Sequence, residues 1–214
     1  MNLQEKTIGI LDALDRRYGQ AICSLTYRHP YELLIATRLS AQCTDARVNQ
    51  VTPILFSKYP TLESLANADP LDVMEIVKPC GVYKVKGQNI VDMSRMLIDQ
   101  YGGVVPDTIE ELTKLPGVGR KTANLICGDV YGKPAIVADT HCIRITGRLG
   151  LQPRLKDPVK VEMILKEVIP PERSNNFCHQ LVHFGREVCT ARSPKCDRCE
   201  LAMYCDEFHK GRGD

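Results

Sequence analysis

The stretch Leu115-Pro116-Gly117-Val118-Gly119-Arg120-Lys121-Thr122-Ala123 decides the fold of this 214-residue chain. An amphipathic segment from Thr108 to Lys114 runs into the Pro-Gly-x-Gly turn, and a helix-compatible segment follows it. Glycines permit positive φ and close approach of the backbone. The pattern therefore indicates two helices joined by a tight turn. The turn exposes backbone N–H groups at the start of the second helix, where the helix dipole favours an anion.

A turn of this kind grips a phosphate without reading base sequence, which is what a non-specific anchor on the DNA backbone does. It is not a Walker P-loop, because Arg-Lys follows the second glycine after too short a loop. A plain connection between two helices is the alternative. The candidate DNA-binding residues of the turn are Leu115, Pro116, Gly117, Val118, Gly119 and Arg120.

Two further residues are candidates for chemistry, one in this stretch and the other eighteen residues after the first. Lys121 falls in the first turn of the second helix, where a lysine is most often a phosphate contact. An amine becomes a nucleophile where desolvation or nearby cations lower its pKa. Asp139 begins Asp139-Thr140-His141 further along, and it either caps a helix from Cys142 to Leu149 or pairs with an amine nucleophile. The spacing leaves both alternatives open.

Helical periodicity dominates the rest of the chain and predicts an all-α protein with roughly ten helices. Apolar residues recur at helical spacing within 3–14, 90–97, 161–168 and 177–188. Helix starts are indicated at Thr61, Ser174, Asp69-Pro70 and Asp157-Pro158. The best strand candidate, Ala135 to Ala138, is too short to form a sheet.

Composition narrows the class of protein without deciding it. The chain has 28 basic and 26 acidic residues, so its net charge of +2 neither demands nor forbids a nucleic-acid partner. An apolar fraction of 43% excludes a mainly disordered chain. No apolar run is long enough to span a membrane, and the N-terminus lacks the pattern of a secretory signal. We therefore expect a cytosolic protein.

The ten cysteines fall into two groups. Six are scattered among apolar neighbours, where cysteine behaves as a small hydrophobic residue. The other four follow the spacing Cys189-x6-Cys196-x2-Cys199-x5-Cys205, which can wrap one metal centre, either zinc or an iron–sulfur cluster. Four unrelated buried cysteines are the alternative. Lys195 is one of several basic residues around this motif that suit either a phosphate contact or a solvated loop.

The turn and the cysteine motif, in this order, closely resemble the endonuclease III family of DNA glycosylases. The resemblance extends over nearly the whole chain and includes Leu39 to Asp45 and Val137 to His141. It implies two helical domains that flank a DNA-binding cleft. Residues 22–132 would form a six-helix barrel with the helix-hairpin-helix, and residues 1–21 and 133–214 a helical iron–sulfur cluster domain. A [4Fe–4S] cluster would be held by Cys189, Cys196, Cys199 and Cys205.

The resemblance also implies an activity. The protein would be a base-excision repair N-glycosylase that removes oxidised pyrimidines from duplex DNA by base flipping, with AP lyase cleavage through a lysine Schiff base. Lys121 would be the nucleophile and Asp139 its partner. The partner molecule would be double-stranded DNA with oxidised pyrimidines or abasic sites. The protein would act as a monomer in a bacterial or archaeal cytosol or nucleoid.

Other positions acquire roles from the same resemblance. Gln42 would fill the gap that the flipped nucleotide leaves, and Val82 stands where the family usually has a second inserted leucine. Supporting roles at the pocket fall to Ser40, Asp45 and His141. Arg38 departs from the apolar residues that the family commonly has there, and it would face solvent, a carboxylate or the substrate.

Two alternative functions remain. The adenine-mismatch branch of the superfamily shares the turn and the cluster, but generally lacks the lysine and has a glutamate in the early glutamine-containing helix. Here Lys121 is present, and Ser40-Ala41-Gln42 shows no such glutamate. A non-catalytic DNA-binding or redox-sensing protein would use the same turn and cluster, and the presence of both Lys121 and Asp139 argues against it.

Overall fold

The computed structural model describes residues 1–210, which form helices and loops with no β-strand among them. Twelve α-helices lie within these residues, and they confirm the all-α prediction. They are α1 Leu3–Tyr18, α2 Pro30–Ser40, α3 Asp45–Lys58, α4 Leu62–Ala66, α5 Pro70–Val77, α6 Tyr83–Tyr101, α7 Ile109–Leu112, α8 Arg120–Asp129, α9 Thr140–Leu149, α10 Pro158–Val168, α11 Pro171–Glu187 and α12 Asp206–Lys210. Short 3₁₀ helices cover Lys78–Cys80, Cys196–Arg198 and Ala202–Tyr204.

The chain divides into two compact units, whose bounds lie one residue from those that the sequence predicts. The hairpin unit is Cys23–Tyr131 and contains α2 to α8. The cysteine unit combines Met1–Ile22 with the chain from Gly132 onward. Within residues 1–210, none of the helices is both long enough and apolar enough to cross a membrane.

The core of the hairpin unit forms around α6, whose buried face includes Ile90, Met93 and Leu97, as the periodicity predicts. Gly87 lies on the same helix where it meets α5. A Cβ placed on Gly87 would lie 2.6 Å from the Cγ of Met74 and 3.0 Å from its backbone N and Cα. Glycine is therefore what allows α5 and α6 to approach this closely, although it is a poor helix former.

We expect Gly87→Ala to destabilise the protein. The added methyl meets backbone atoms of Met74 that cannot move aside easily, and overpacking of this kind costs about 1–3 kcal/mol. This exceeds the gain in helix propensity of up to about 1 kcal/mol. Val85→Ala, on the exposed side of the same helix, is the matched control. Chemical denaturation of both variants measures the difference, and a Gly87→Ala chain as stable as the control would contradict the packing argument.

The helix starts test the predictions from local sequence. The side chains of Thr61, Asp69 and Asp157 accept hydrogen bonds from backbone N–H groups of α4, α5 and α10, so these three starts are confirmed. Ser174 is wrong as a helix start, because α11 already begins at Pro171. A proline at the first helical position has no N–H to leave unpaired there.

Ser174 instead lies buried inside α11 and supports an extended segment beside it. Its Oγ accepts the backbone N–H of Ala135 at 3.0 Å, and the Sγ of Cys178, one helical turn on, accepts that of Val137 at 3.2 Å. Residues 135–138 are buried. This is the segment that the sequence offers as its best strand candidate. It pairs with no strand among the described residues, and side chains of α11 accept its N–H groups at Ala135 and Val137. It leads directly to Asp139.

In the cysteine unit, α1 packs against α11 through polar contacts at the end of α1. Gln180 is buried, and its Nε2 donates to the Oδ1 of Asp15 at 2.7 Å and to the carbonyl of Gly19 at 2.8 Å. Arg173 pairs with Asp12 and Asp15. These contacts join the N-terminal helix to the rest of the unit.

Candidate functional site

The hairpin consists of α7, a turn over residues 113–119, and α8. Leu115 and Val118 are 2% and 7% exposed and anchor the turn in the core, while the N–H of Val118 donates to the carbonyl of Leu115 at 3.1 Å. Gly117 between them has φ +77°, a left-handed conformation that favours glycine. The sequence therefore places its two apolar residues inside and its glycines on the surface.

The N-terminus of α8 is open to solvent. Gly119 is the N-cap, it has no side chain to satisfy the first N–H groups, and its Cβ direction faces empty space. Four N–H groups at a helix start have no partner within the helix. Lys121 lies in this first turn with its side chain exposed. The geometry offers backbone donors and a cation to an anion that approaches along the axis of α8.

Arg38 is partly buried and lies against this turn. Its Nε donates to the Oδ1 of Asn89 on α6 at 3.0 Å. A Cβ on Gly117 would lie 2.5 Å from that Nε and 2.7 Å from the Asn89 Oδ1. Burial lowers the pKa of Arg38. The arginine that sequence alone left unexplained thus packs against the turn from the side of α2.

Asp139 is the N-cap of α9, which confirms the first of its two alternatives. Its Oδ1 accepts the N–H of Cys142 at 2.7 Å, and its own N–H donates to the carbonyl of Val137 at 2.8 Å. A capping carboxylate uses one oxygen for the helix and keeps acceptor capacity on the other. The cap therefore fixes the side chain without removing its ability to act on a substrate.

His141 follows in the first turn of α9 and packs against α11. A Cβ on Gly185 of α11 would lie 2.3 Å from the Nδ1 of His141, so only glycine leaves room for the ring. The same Nδ1 lies 3.1 Å from the Nη2 of Arg144. The position of this ring therefore depends on the close approach of α9 to α11.

Gln42 and Val82 lie on two turns of the hairpin unit and share an unusual backbone. Their φ values are +58° and +49°, and Arg154 is the only other non-glycine residue with positive φ in the described part of the chain. For a β-branched residue such as valine this is a true outlier. Strain of this kind costs about 1–3 kcal/mol per residue and persists only where the surroundings impose it. Both side chains are exposed.

Ser40 and Asp45 lie on either side of Gln42. The Ser40 Oγ donates to the carbonyl of Thr37 at 2.9 Å at the end of α2. Asp45 is the first residue of α3, and its Oδ2 accepts the Ser24 hydroxyl at 2.5 Å. Both side chains thus bind local structure of the hairpin unit.

The structure brings the four cysteines of the C-terminal motif together. Cys189, Cys196, Cys199 and Cys205 all line one cavity of about 110 Å³. Burial raises the pKa of the Cys199 thiol to about 11 and raises that of Cys205 as well, with the neighbouring thiols acting in the same direction. Metal ligation requires thiolates, so iron binding here would release protons. Four cysteines around one largely apolar cavity suit an iron–sulfur cluster.

Within residues 1–210, no group of three or more His, Cys, Asp or Glu side chains is arranged to hold a single metal ion.

Two arginines of α9 hold the start of the cysteine motif. Arg148 donates from Nη1 to the Sγ of Cys189 at 3.3 Å and to the carbonyl of Thr190 at 2.8 Å, and from Nη2 to the carbonyl of Ala191 at 3.0 Å. Arg144 donates to the carbonyl of Cys189 at 2.9 Å. The helix that Asp139 caps is therefore fixed to the cysteine motif. Sequence reasoning missed both arginines, because they are 41 or more residues from their partners.

Comparison with known proteins agrees with this geometry. The profile of the HhH-GPD superfamily of base excision DNA repair proteins matches residues 35–171, and that of the iron–sulfur binding domain of endonuclease III matches residues 189–205. Endonuclease III of Bacillus subtilis is 44% identical over 94% of this chain and 91% of its own length. Two solved structures are 41% identical. A non-covalent endonuclease III–DNA complex has a TM-score of 0.92 over 100% of both chains. A trapped endonuclease III–DNA covalent intermediate has a TM-score of 0.91 over 99% of both chains.

The fold, the hairpin and the cysteine motif define a base excision DNA repair protein of the helix-hairpin-helix class. Within that class, the chain belongs to the endonuclease III family. It is a DNA glycosylase with AP lyase activity, and its cofactor is a [4Fe–4S] cluster. The family assignment confirms the resemblance on which the sequence predictions rest.

We expect Arg148→Met to weaken retention of the cluster. The substitution removes the donor to Cys189 and leaves two carbonyls of the motif without their partner. Loss of a residue that supports metal ligands typically costs about 10–100-fold in metal affinity. Arg192→Met, an exposed arginine between two cysteines of the motif, is the control. Iron content and visible absorption during challenge with a chelator measure retention. Equal rates of iron loss from wild type and Arg148→Met would contradict the role of Arg148.

Proposed function

We propose that this protein excises oxidised pyrimidines from duplex DNA and cleaves the strand at the resulting site, with Lys121 as the nucleophile and Asp139 as its acid–base partner. The observation that supports the proposal most is the position of Lys121, exposed in the first turn of α8 beside the backbone N–H groups of a helix start that has no side-chain cap. A phosphate bound at those groups would hold the DNA backbone next to the amine. We also predict that the protein carries out this repair as a monomer in the cytosol.

The proposed chemistry begins with the target nucleotide flipped out of the helix, because its sugar and base are unreachable inside a duplex. The neutral Lys121 amine attacks the anomeric carbon while the glycosidic bond breaks, and the base leaves with the bonding electron pair and takes up a proton. The sugar ring opens to a Schiff base on Nζ. Loss of a C2′ proton then expels the 3′ phosphate by β-elimination, which cleaves the strand.

Asp139 is suited to the partner role because its position is already fixed. The cap holds one carboxylate oxygen on the N–H of Cys142, and the other would face the positive charge that develops on the sugar. A carboxylate in that place stabilises the charge and accepts a proton from the attacking amine. His141, against α11 in the same turn of α9, would support the pocket, and Ser40 and Asp45 would do so beside Gln42.

Gln42 and Val82 would enter the duplex where the flipped nucleotide leaves a gap. Both are exposed at turns whose backbone is held in a left-handed conformation, which aims the side chains outward. Valine is smaller than the leucine usual at the second position, so we expect Val82 to fill less of the gap.

The cluster would be held by Cys189, Cys196, Cys199 and Cys205, which line one cavity. When bound, a [4Fe–4S] cluster links four cysteines covalently and supplies an electron-transfer centre. The exposed Lys195 lies between two of the cysteines, and its ammonium would contact a DNA phosphate as a point charge. The cysteine motif would thus shape a second, sequence-independent contact with DNA.

Borohydride trapping tests the nucleophile. On duplex DNA that contains thymine glycol, wild type should form a covalent adduct, since borohydride reduces the Schiff base to a stable amine, and Lys121→Gln should form none. Lys114→Gln removes another exposed lysine of the same hairpin and should still form the adduct. If wild type forms no adduct, or Lys121→Gln forms as much, the lyase mechanism is wrong. Adduct only on DNA with adenine opposite an oxidised guanine would favour the adenine-mismatch function.

Two substitutions at Asp139 separate its structural role from its chemical one. Asparagine caps helices as well as aspartate does, so Asp139→Asn should leave the melting temperature unchanged and lower base excision by about 100-fold or more. Asp139→Ala loses the cap as well and should also destabilise the protein by about 1 kcal/mol. Single-turnover excision and thermal unfolding provide both values. If Asp139→Asn keeps full activity, Asp139 serves only as a helix cap and its proposed acid–base role is wrong.

A further inference from the structure

The turns that present Gln42 and Val82 meet at one buried lysine. Lys86 on α6 is 1% exposed, which makes it the largest fully buried side chain in the described chain. Its Nζ donates to the carbonyl of Leu39 at 2.9 Å and to the carbonyl of Cys80 at 2.7 Å. Leu39 precedes Gln42 by three residues, and Cys80 precedes Val82 by two. One ammonium group therefore joins the two turns.

Both acceptors are helix ends. Leu39 lies in the last turn of α2, and Cys80 ends the 3₁₀ helix Lys78–Cys80. Carbonyls at such ends have no partner within their helix, and the negative end of a helix dipole favours a cation. Two charge-assisted hydrogen bonds thus satisfy groups that would otherwise be buried without partners. This explains why a lysine is tolerated where burial lowers its pKa.

Lys86 is also tied to the second turn by its backbone. Val82 is the N-cap of α6, and the N–H of Lys86 donates to its carbonyl at 3.1 Å. Cys43 and Cys80 come one from each turn, and the Cys43 thiol adds to the burial that raises the pKa of the Cys80 thiol. The contacts at Lys86 therefore fix each turn and also fix one turn against the other.

We propose that Lys86 is the positioning residue for DNA insertion, which sets Gln42 and Val82 at the spacing and angle at which both enter the gap in the duplex. This rests on the insertion roles given above under Proposed function. A strained φ persists only where the surroundings impose it, and both strained residues lie within three positions of a carbonyl that Lys86 holds. Because the side chain is buried and bonds two backbone carbonyls, it would act through the two turns and not by contact with DNA.

The test uses Lys86→Met in the full-length holoprotein, which keeps a long apolar stem and removes the donors. Two substrates are compared: a thymine glycol duplex, where the gap must be filled, and a single-stranded abasic oligonucleotide, where no gap exists. Misplacement by about 1 Å can cost on the order of 100-fold in rate. We expect duplex excision to fall by about 10- to 100-fold, while cleavage of the single strand stays unchanged. Equal losses on both substrates, or no loss on the duplex, would overturn the proposal.

A second measurement reports insertion without chemistry. A duplex with a stable abasic analogue opposite 2-aminopurine should change its fluorescence when wild type inserts its side chains. Lys86→Met should bind this duplex but lose the fluorescence change. This fluorescence readout does not depend on Lys121. If wild type changes the fluorescence but shows no excision activity, the proposed function is wrong and the role of Lys86 is unaffected. Wild-type binding with no fluorescence change would overturn the role of Lys86.

Two controls separate positioning from general destabilisation. Ser94→Ala removes a buried donor from the same helix, since the Ser94 Oγ donates to the carbonyl of Ile90 within α6. This substitution should leave the ratio of duplex excision to single-strand cleavage unchanged. In the background Gln42→Ala/Val82→Ala, Lys86→Met should cost no further duplex activity, and an additional loss there would overturn the proposal. If Lys86→Met does not fold, Lys86→Gln keeps an N–H donor on a shorter stem and is judged by the same ratio.

Discussion

Every α-helix leaves N–H groups unpaired at its start and carbonyls unpaired at its end, and this constraint organises the functional parts of this all-helical chain. The start of α8 at Gly119 stays open and faces solvent. The start of α9 is closed by Asp139, and the end of α2 by Lys86. Open ends are available to bind phosphate, whereas closed ends fix the side chains around them.

The closed ends make several side chains depend on the same contacts. Asp139 is held by capping α9, and α9 in turn is fixed by Arg144 and Arg148 to the backbone around Cys189. Because the arginines bond backbone carbonyls and a sulfur, the position of α9 is tied to the conformation of the cysteine motif. A cluster bound there would stabilise the motif and, through α9, the direction of the Asp139 carboxylate. A bound cofactor would therefore influence the proposed catalytic group without touching it.

Local sequence was sufficient for the parts of this structure that depend on near neighbours. The hairpin turn, the caps at Thr61, Asp69 and Asp157 and the cysteine spacing all depend on residues a few positions apart. Ser174 shows the limit of such signals, since Pro171 begins the helix and the serine bonds the backbone of Ala135 instead. The contacts of Arg148 with the Thr190 carbonyl and of Lys86 with the Leu39 carbonyl could not be found, because these partners lie 42 and 47 residues away.

Two lysines show why the sequence cannot assign such roles. Lys121 lies in the first turn of α8 after the N-cap Gly119, and Lys86 lies near the start of α6 after the N-cap Val82. The Cα–Cβ bonds of a helix tilt towards its N-terminus. Each side chain is therefore directed towards the start of its own helix. In front of α8 there is solvent, so the Lys121 ammonium stays exposed and open to an approaching DNA strand. In front of α6 there are the ends of two other helices, so Lys86 is enclosed and donates a hydrogen bond to each of them. Both residues are lysines, so the surroundings of the helix start distinguish them. A lysine with solvent before its helix is free to act on a substrate, whereas one enclosed by other helix ends positions neighbouring residues.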